Sequence, residues 1–223
     1  MKKLLLLLAA TLLSMSMASA SFIPCLSATG SVTVGGISPS FTCGTLTFDS
    51  FQLLSPTGGA TGAVDILGAQ YDSATGAVDV QFNPHLLANQ DEQFMFTVWG
   101  GIMQINMSVG GQNASITERA CANPIATTGP LAYLCTDSNG ANVAPLGQIT
   151  VASGTPNQPV FSAPFSTTNP VYIFKDIQSG MGGALSEFTQ SFEIPNVPEP
   201  VSLVLLGSGL LGLGLLRRRA RRN

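Results

Sequence analysis

Phe94-Met95-Phe96-Thr97-Val98-Trp99-Gly100-Gly101-Ile102-Met103-Gln104-Ile105-Asn106-Met107 is the stretch whose reading decides the fold. Side chains along a strand alternate between two faces, so a count from the Gly-Gly pair tests a hairpin directly. With Gly100-Gly101 as a two-residue turn, Trp99 pairs with Ile102, Val98 with Met103, Phe96 with Ile105 and Phe94 with Met107. One face then carries Phe94, Phe96, Val98, Met103, Ile105 and Met107 with no polar residue. An isolated ribbon of that kind is marginal in water, so its apolar side must lie against a second sheet.

Working outward, the same alternation recurs. Leu46, Phe48 and Phe51 are candidates for the buried side of a strand region from Phe41 to Leu54. The motif Thr61-Gly62-Ala63-Val64-Asp65-Ile66 is echoed by Thr75-Gly76-Ala77-Val78-Asp79-Val80. Two copies are too few to close a solenoid core, and a hairpin explains them: Val64 to Tyr71, a turn at Asp72-Ser73-Ala74-Thr75-Gly76, and Ala77 to Phe82. Further strands are expected at Ala114 to Ala120, Leu131 to Cys135, Gln148 to Ala152, Pro159 to Phe165, Val171 to Asp176 and Leu185 to Ile194. No long apolar period of 3.6 occurs between Ser21 and Pro198. The expected fold is all-β, an antiparallel β-sandwich of jelly-roll or Greek-key style over residues 21–194, flanked by a signal peptide at 1–20 and a tail at 195–223 that holds a transmembrane helix.

Charge is scarce and unevenly placed. Charged residues make up 9% of the 223, against a usual share of roughly 25%. Apart from Lys2, Lys3 and the tail arginines, the only basic residues are Arg119 and Lys175. The acidic body excludes nucleic acid as a partner, because neither phosphate backbones nor anionic headgroups are attracted to it.

The N-terminus has the three parts of a secretory signal: Lys2-Lys3, the apolar run Leu4 to Leu13, and Ala18-Ser19-Ala20 before Ser21. Signal peptidase and the secretion machinery are therefore expected partners, with cleavage between Ala20 and Ser21. Export makes disulfides the natural state of Cys25, Cys43, Cys121 and Cys135. Three connectivities are open; proximity favours Cys25–Cys43 and Cys121–Cys135, each closing a loop of about 15 residues and contributing about 3 kcal/mol.

The chain lacks a catalytic constellation that its sequence makes visible. His85, its only histidine, follows Asn83-Pro84 and reads as a loop or rim residue. There is no Gly-x-Ser-x-Gly elbow, His-Glu-x-x-His motif or phosphate loop. Asp91-Glu92 reads as a solvated turn and not as a catalytic pair. No cofactor is expected; calcium is the one metal considered, through turn residues Asp72, Asp137 and Asn139, none of which matches a defined calcium loop.

The C-terminus is the most specific segment. Val197-Pro198-Glu199-Pro200 leads into the apolar run Val201 to Leu216 and then Arg217, Arg218, Arg219, Arg221 and Arg222. As a helix that run spans about 24 Å, short of a hydrocarbon core near 30 Å, and snorkelling arginines make up part of the difference. The positive-inside tendency keeps the arginines cytoplasmic and leaves the body on the far side of the membrane. Together these parts resemble the PEP-CTERM sorting signal of Gram-negative bacteria. The resemblance implies an exosortase partner that cuts near Pro198, Glu199 and Pro200, which act as substrate residues, and delivers the body to the cell surface or an exopolysaccharide matrix. The first expectation for the body is a noncatalytic structural protein of that matrix. The second is a carbohydrate-binding or adhesin module, including the ice-binding type, with Trp99, Tyr71, Tyr133 and Tyr172 as the aromatic candidates; a secreted hydrolase with dispersed carboxylates ranks behind both.

Overall fold

The computed structural model describes residues 22–26, 30–33, 39–54, 57–58, 60, 62–153 and 159–195. The expected signal peptide, the Ala20/Ser21 junction, the sorting motif, the apolar run and the tail arginines all lie outside them. Among the described residues no helix is long and apolar enough to cross a membrane.

Two antiparallel sheets enclose one core. The strands in chain order are β1 (Phe22–Leu26), β2 (Gly30–Thr33), β3 (Phe41–Cys43), β4 (Leu46–Leu53), β5 (Ala63–Asp72), β6 (Val78–Asn83), β7 (Asp91–Trp99), β8 (Gln104–Val109), β9 (Gln112–Cys121), β10 (Gly147–Ala152), β11 (Val160–Phe161), β12 (Val171–Ala184) and β13 (Phe188–Glu193). One sheet runs β1-β5-β6-β13-β8-β11, with β2 also on β5; the other runs β10-β9-β12-β7-β4-β3. Among the described strands the only consecutive pairs that share hydrogen bonds are β3/β4, β5/β6 and β9/β10. Most connections therefore cross from one sheet to the other.

The hairpin at β5 and β6 forms as its turn chemistry predicts, with Tyr71 opposite Val78. Asp72 fixes the turn by accepting hydrogen bonds from the Ala74 amide at 2.9 Å and the Thr75 hydroxyl at 2.8 Å. Val64, Ile66, Val78 and Val80, the apolar members of the sequence echo, all point into the core.

The Gly100-Gly101 hairpin does not form. β7 pairs with β12 and β4, whereas β8 pairs with β13 and β11 in the other sheet. Phe94, Phe96, Val98, Ile105 and Met107 are nevertheless buried. Two strands with matching apolar faces can satisfy them as neighbours in one sheet or as opposite walls of one core, and this chain does the latter. Gly100 and Gly101 both have positive φ, 117° and 77°, and carry the backbone over the rim. A Cβ on Gly100 would come within 2.4 Å of the Thr45 carbonyl oxygen, so the crossing passes against the β3–β4 turn. The side chain of Asn169 accepts the Gly100 amide at 3.1 Å, and Ile102 forms a bridge with Thr168.

Other boundaries shift for local reasons. Phe41 to Leu54 divides into β3 and β4 around Gly44-Thr45, and its candidates Leu46, Phe48 and Phe51 are buried. Leu131 to Cys135 is turn, not strand, with Tyr133 at φ 64°. Pro159 to Phe165 contributes only the two exposed residues of β11. Asp91-Glu92 is not a solvated turn: it opens β7, and the alternation that buries Phe94 and Phe96 also buries Glu92.

Both expected disulfides form. Cys25–Cys43 joins β1 to β3 and closes one open edge of the sandwich between its sheets. Cys121–Cys135 ties the end of β9 to the long connection that follows it.

Candidate functional site

The outer face of the six-stranded sheet carries Trp99 and a set of polar side chains. Alternation along β7 turns Asp91, Gln93, Met95, Thr97 and Trp99 outward, and the register sets Tyr172 opposite Thr97 and Asp176 opposite Gln93. Trp99 is 43% exposed, and its indole N–H donates to Asp49 Oδ2 at 3.0 Å. This bond anchors the ring at its nitrogen while part of the side chain stays exposed. Gln93 donates to Asp176 Oδ1 at 3.2 Å. Burial, followed by the charge of Asp176, holds the Asp91 carboxyl above the usual carboxylate range.

The segment between β9 and β10 folds onto the same face. Tyr133 stacks on Phe174 with ring centroids 5.3 Å apart, and Arg119 lies over the same Phe174 ring at 5.8 Å while donating to the Tyr133 carbonyl at 3.1 Å. Phe174 is thereby buried although its strand phase points outward. One of the body's two basic residues is absorbed in holding this loop down.

The aromatic candidates are consequently dispersed in role. Trp99 and Tyr172 share the open face, Tyr133 covers Phe174, and Tyr71 packs against the core. His85 sits at a rim, with φ 53° and Nε2 2.7 Å from Asp65 Oδ2. Asp72 and Asp137, considered for calcium, instead cap turns. Asp137 accepts the amides of Asn139 at 2.9 Å and Ala141 at 2.8 Å, and these backbone donors hold both carboxyls below the usual range, led by Ala74 for Asp72 and Ala141 for Asp137. Among the described residues no cluster of three or more His, Cys, Asp or Glu side chains could hold a metal ion. On the outer face of the other sheet, a shallow open depression of about 240 Å³ is bordered by Gly68, Gln70, Asp79, Gln81 and Thr189.

A second polar group lies inside the core. Lys175 donates to Glu118 Oε2 at 2.7 Å and to Gln190 Oε1 at 2.5 Å, with Met107 Sδ at 3.8 Å. Lys175 and Glu118 project from β12 and β9 of one sheet, and Gln190 from β13 of the other. All three are buried. Burial pushes Lys175 down and Glu118 up, each opposed by the partner's charge. Glu92 is also buried, and burial pushes its carboxyl up to about 8 against the opposing Ala63 backbone hydrogen bond. The sequence signal for this group is period-two: Lys175 is in phase with Ile173 and Ile177, Glu118 with Ile116 and Ala120, and Gln190 with Phe188 and Phe192.

Comparison with known proteins finds a match in the tail. Residues 196–221 match the family described as PEP-CTERM protein-sorting motif. The chain ends in a PEP-CTERM motif. The motif takes in Val197-Pro198-Glu199-Pro200 and the arginines through Arg221, so the PEP-CTERM assignment covers the segment singled out by its sequence. No curated protein matches the chain. Among solved structures, the complex of TmCBM61 with beta-1,4-galactotriose is similar at 12% identity, covering 63% of this chain and 86% of that chain with a TM-score of 0.29.

Proposed function

We propose that this is an exported structural protein of the cell surface or exopolysaccharide matrix, delivered through its C-terminal tail by an exosortase. The observation that carries this reading is the PEP-CTERM motif at residues 196–221. Proline disfavours helix in its own and the preceding residue, which suits Pro198-Glu199-Pro200 to a protease substrate segment. The apolar run behind them holds it at the inner membrane, and the arginines keep their cytoplasmic side. The body arrives as a noncatalytic sandwich of residues 21–194 without its signal peptide, disulfide-linked and needing no cofactor. The test is to replace Pro198, Glu199 and Pro200 together with alanine: the full-length precursor should accumulate in the inner membrane and the surface pool should fall. Normal surface delivery of that variant would refute the route.

A second reading, carbohydrate binding, is favoured by one feature, the partly exposed Trp99 indole anchored by Asp49 on the face that also carries Tyr172. An aromatic face bordered by hydrogen-bonding side chains suits a sugar ring. A glycan array probed with the oxidised body separates the readings, since a purely structural protein gives no saturable binding.

A further inference from the structure

The sorting reading leaves the Lys175, Glu118 and Gln190 cluster without a use. A lysine in a dry core costs several kcal/mol even when paired, and an apolar residue of similar volume is often as stable there. These three side chains also form the parts list of an amide exchange. An amine lies against a carboxamide, a carboxyl lies against the amine, and no water need be expelled at the moment of reaction.

We propose that Lys175 and Gln190 join in an intramolecular isopeptide bond, with Glu118 carrying the proton. Lys175 Nζ donates to Gln190 Oε1 at 2.5 Å, so the carboxamide carbon, one bond further on, is within reach of the nitrogen lone pair. That lone pair forms the new N–C bond, and the C–Nε2 bond breaks with its electron pair leaving on nitrogen. Glu118 gives its proton to Nε2 and receives one from Nζ, ending as it began. The products are a secondary amide and ammonia, so no oxidant, nucleotide or metal enters the balance.

Glu118 Oε1 has no hydrogen-bond partner among the described residues, which leaves an oxygen to handle the transferred proton. Burial favours the neutral amine and the neutral acid, the pair this step starts from. Phe188, whose ring centroid lies 5.2 Å from Nζ, and Met107 close the site against hydrolysis. Lys175 stands on β12 between β9 and β7, and Gln190 on β13 between β6 and β8, so both strands are fixed on either side. The bond would staple the middle of one sheet to the middle of the other, as Cys25–Cys43 does at their edge. Unlike a disulfide, it would persist under reducing conditions.

Trypsin reads the bond directly, because Arg119 and Lys175 are the only tryptic residues between Ser21 and Pro198. The full chain is expressed in an exporting host, and the folded, disulfide-linked product is reduced, alkylated, denatured and digested. The expected result is a peptide that runs uncut through Lys175, is lighter than its sequence by one ammonia, and gives no simple backbone fragments between Lys175 and Gln190, as a closed loop joining the two requires. Glu118→Gln should restore cleavage after Lys175 and the full mass. Full-mass peptides cut at Lys175 from the folded unmutated protein would overturn the proposal, as would an ammonia loss that fragmentation places on an asparagine. The deciding peptide comes from the unmutated protein, so a variant that fails to fold does not blunt the test.

Discussion

Lys175 Nζ lies 2.7 Å from Glu118 Oε2, with both side chains wholly buried between the sheets. Glu118→Ala removes the acid beside the wholly buried Lys175, leaving that amine without its partner and without the group that carries the proton to Gln190. Breaking a buried pair from one side costs about 3–5 kcal/mol. Urea unfolding of the oxidised body should show a loss of that size, and a change below about 1 kcal/mol, the usual range of exposed pairs, would mean that the pair is not buried.

Glu92 contributes to the pH dependence in the same direction as Asp91 and Glu118, which burial also holds high. Its ordinary value is 4.5 and its folded value is raised to about 8. The folded state therefore holds a proton that the unfolded state has released across that interval. Stability is full below about 4.5 and falls as pH rises through 8, at up to about 1.4 kcal/mol per pH unit. Asp72 and Asp137, held low, act the other way only at more acidic pH. Thermal unfolding at pH 5 and pH 8 should show the lower midpoint at pH 8, and Glu92→Gln should reduce the difference.

Cys25–Cys43 joins the two sheets across 18 residues of sequence, and Cys121–Cys135 spans 14. Replacing either pair by serine should cost about 3 kcal/mol. Hydrogen exchange should separate the two: loss of the first speeds exchange in β3, and loss of the second speeds it around Tyr133.

Trp99→Ala tests the aromatic platform. The side chain is partly exposed and bonded through Asp49, so the substitution should move the unfolding midpoint little. Any saturable glycan binding should disappear with it, as measured by titration calorimetry. Binding that survives the substitution would place the ligand elsewhere.

Local chemistry made part of the fold legible. Asp72 and Gly76 mark the β5–β6 turn, and cysteine spacing gives the two disulfides. The apolar faces of β7 and β8 were legible too, but their pairing was not. Phe94, Phe96 and Val98 specify which side is buried and say nothing about whether Ile105 and Met107 lie beside them or across the core. That choice rests on contacts distant in sequence, such as Asn169 with Gly100. The buried polar group was legible by phase: Glu92, Glu118, Lys175 and Gln190 stand where alternation demands an apolar residue. Hydropathy conceals such residues, because charge is ordinarily taken to mean solvent.

The termini of the protein recovered from the cell surface test the sorting route most directly. Mass spectrometry should find Ser21 at the N-terminus and a C-terminus between Val197 and Val201, with the run Val201 to Leu216 and the arginines gone. A surface protein that still carries Arg217 to Arg222 would contradict the route.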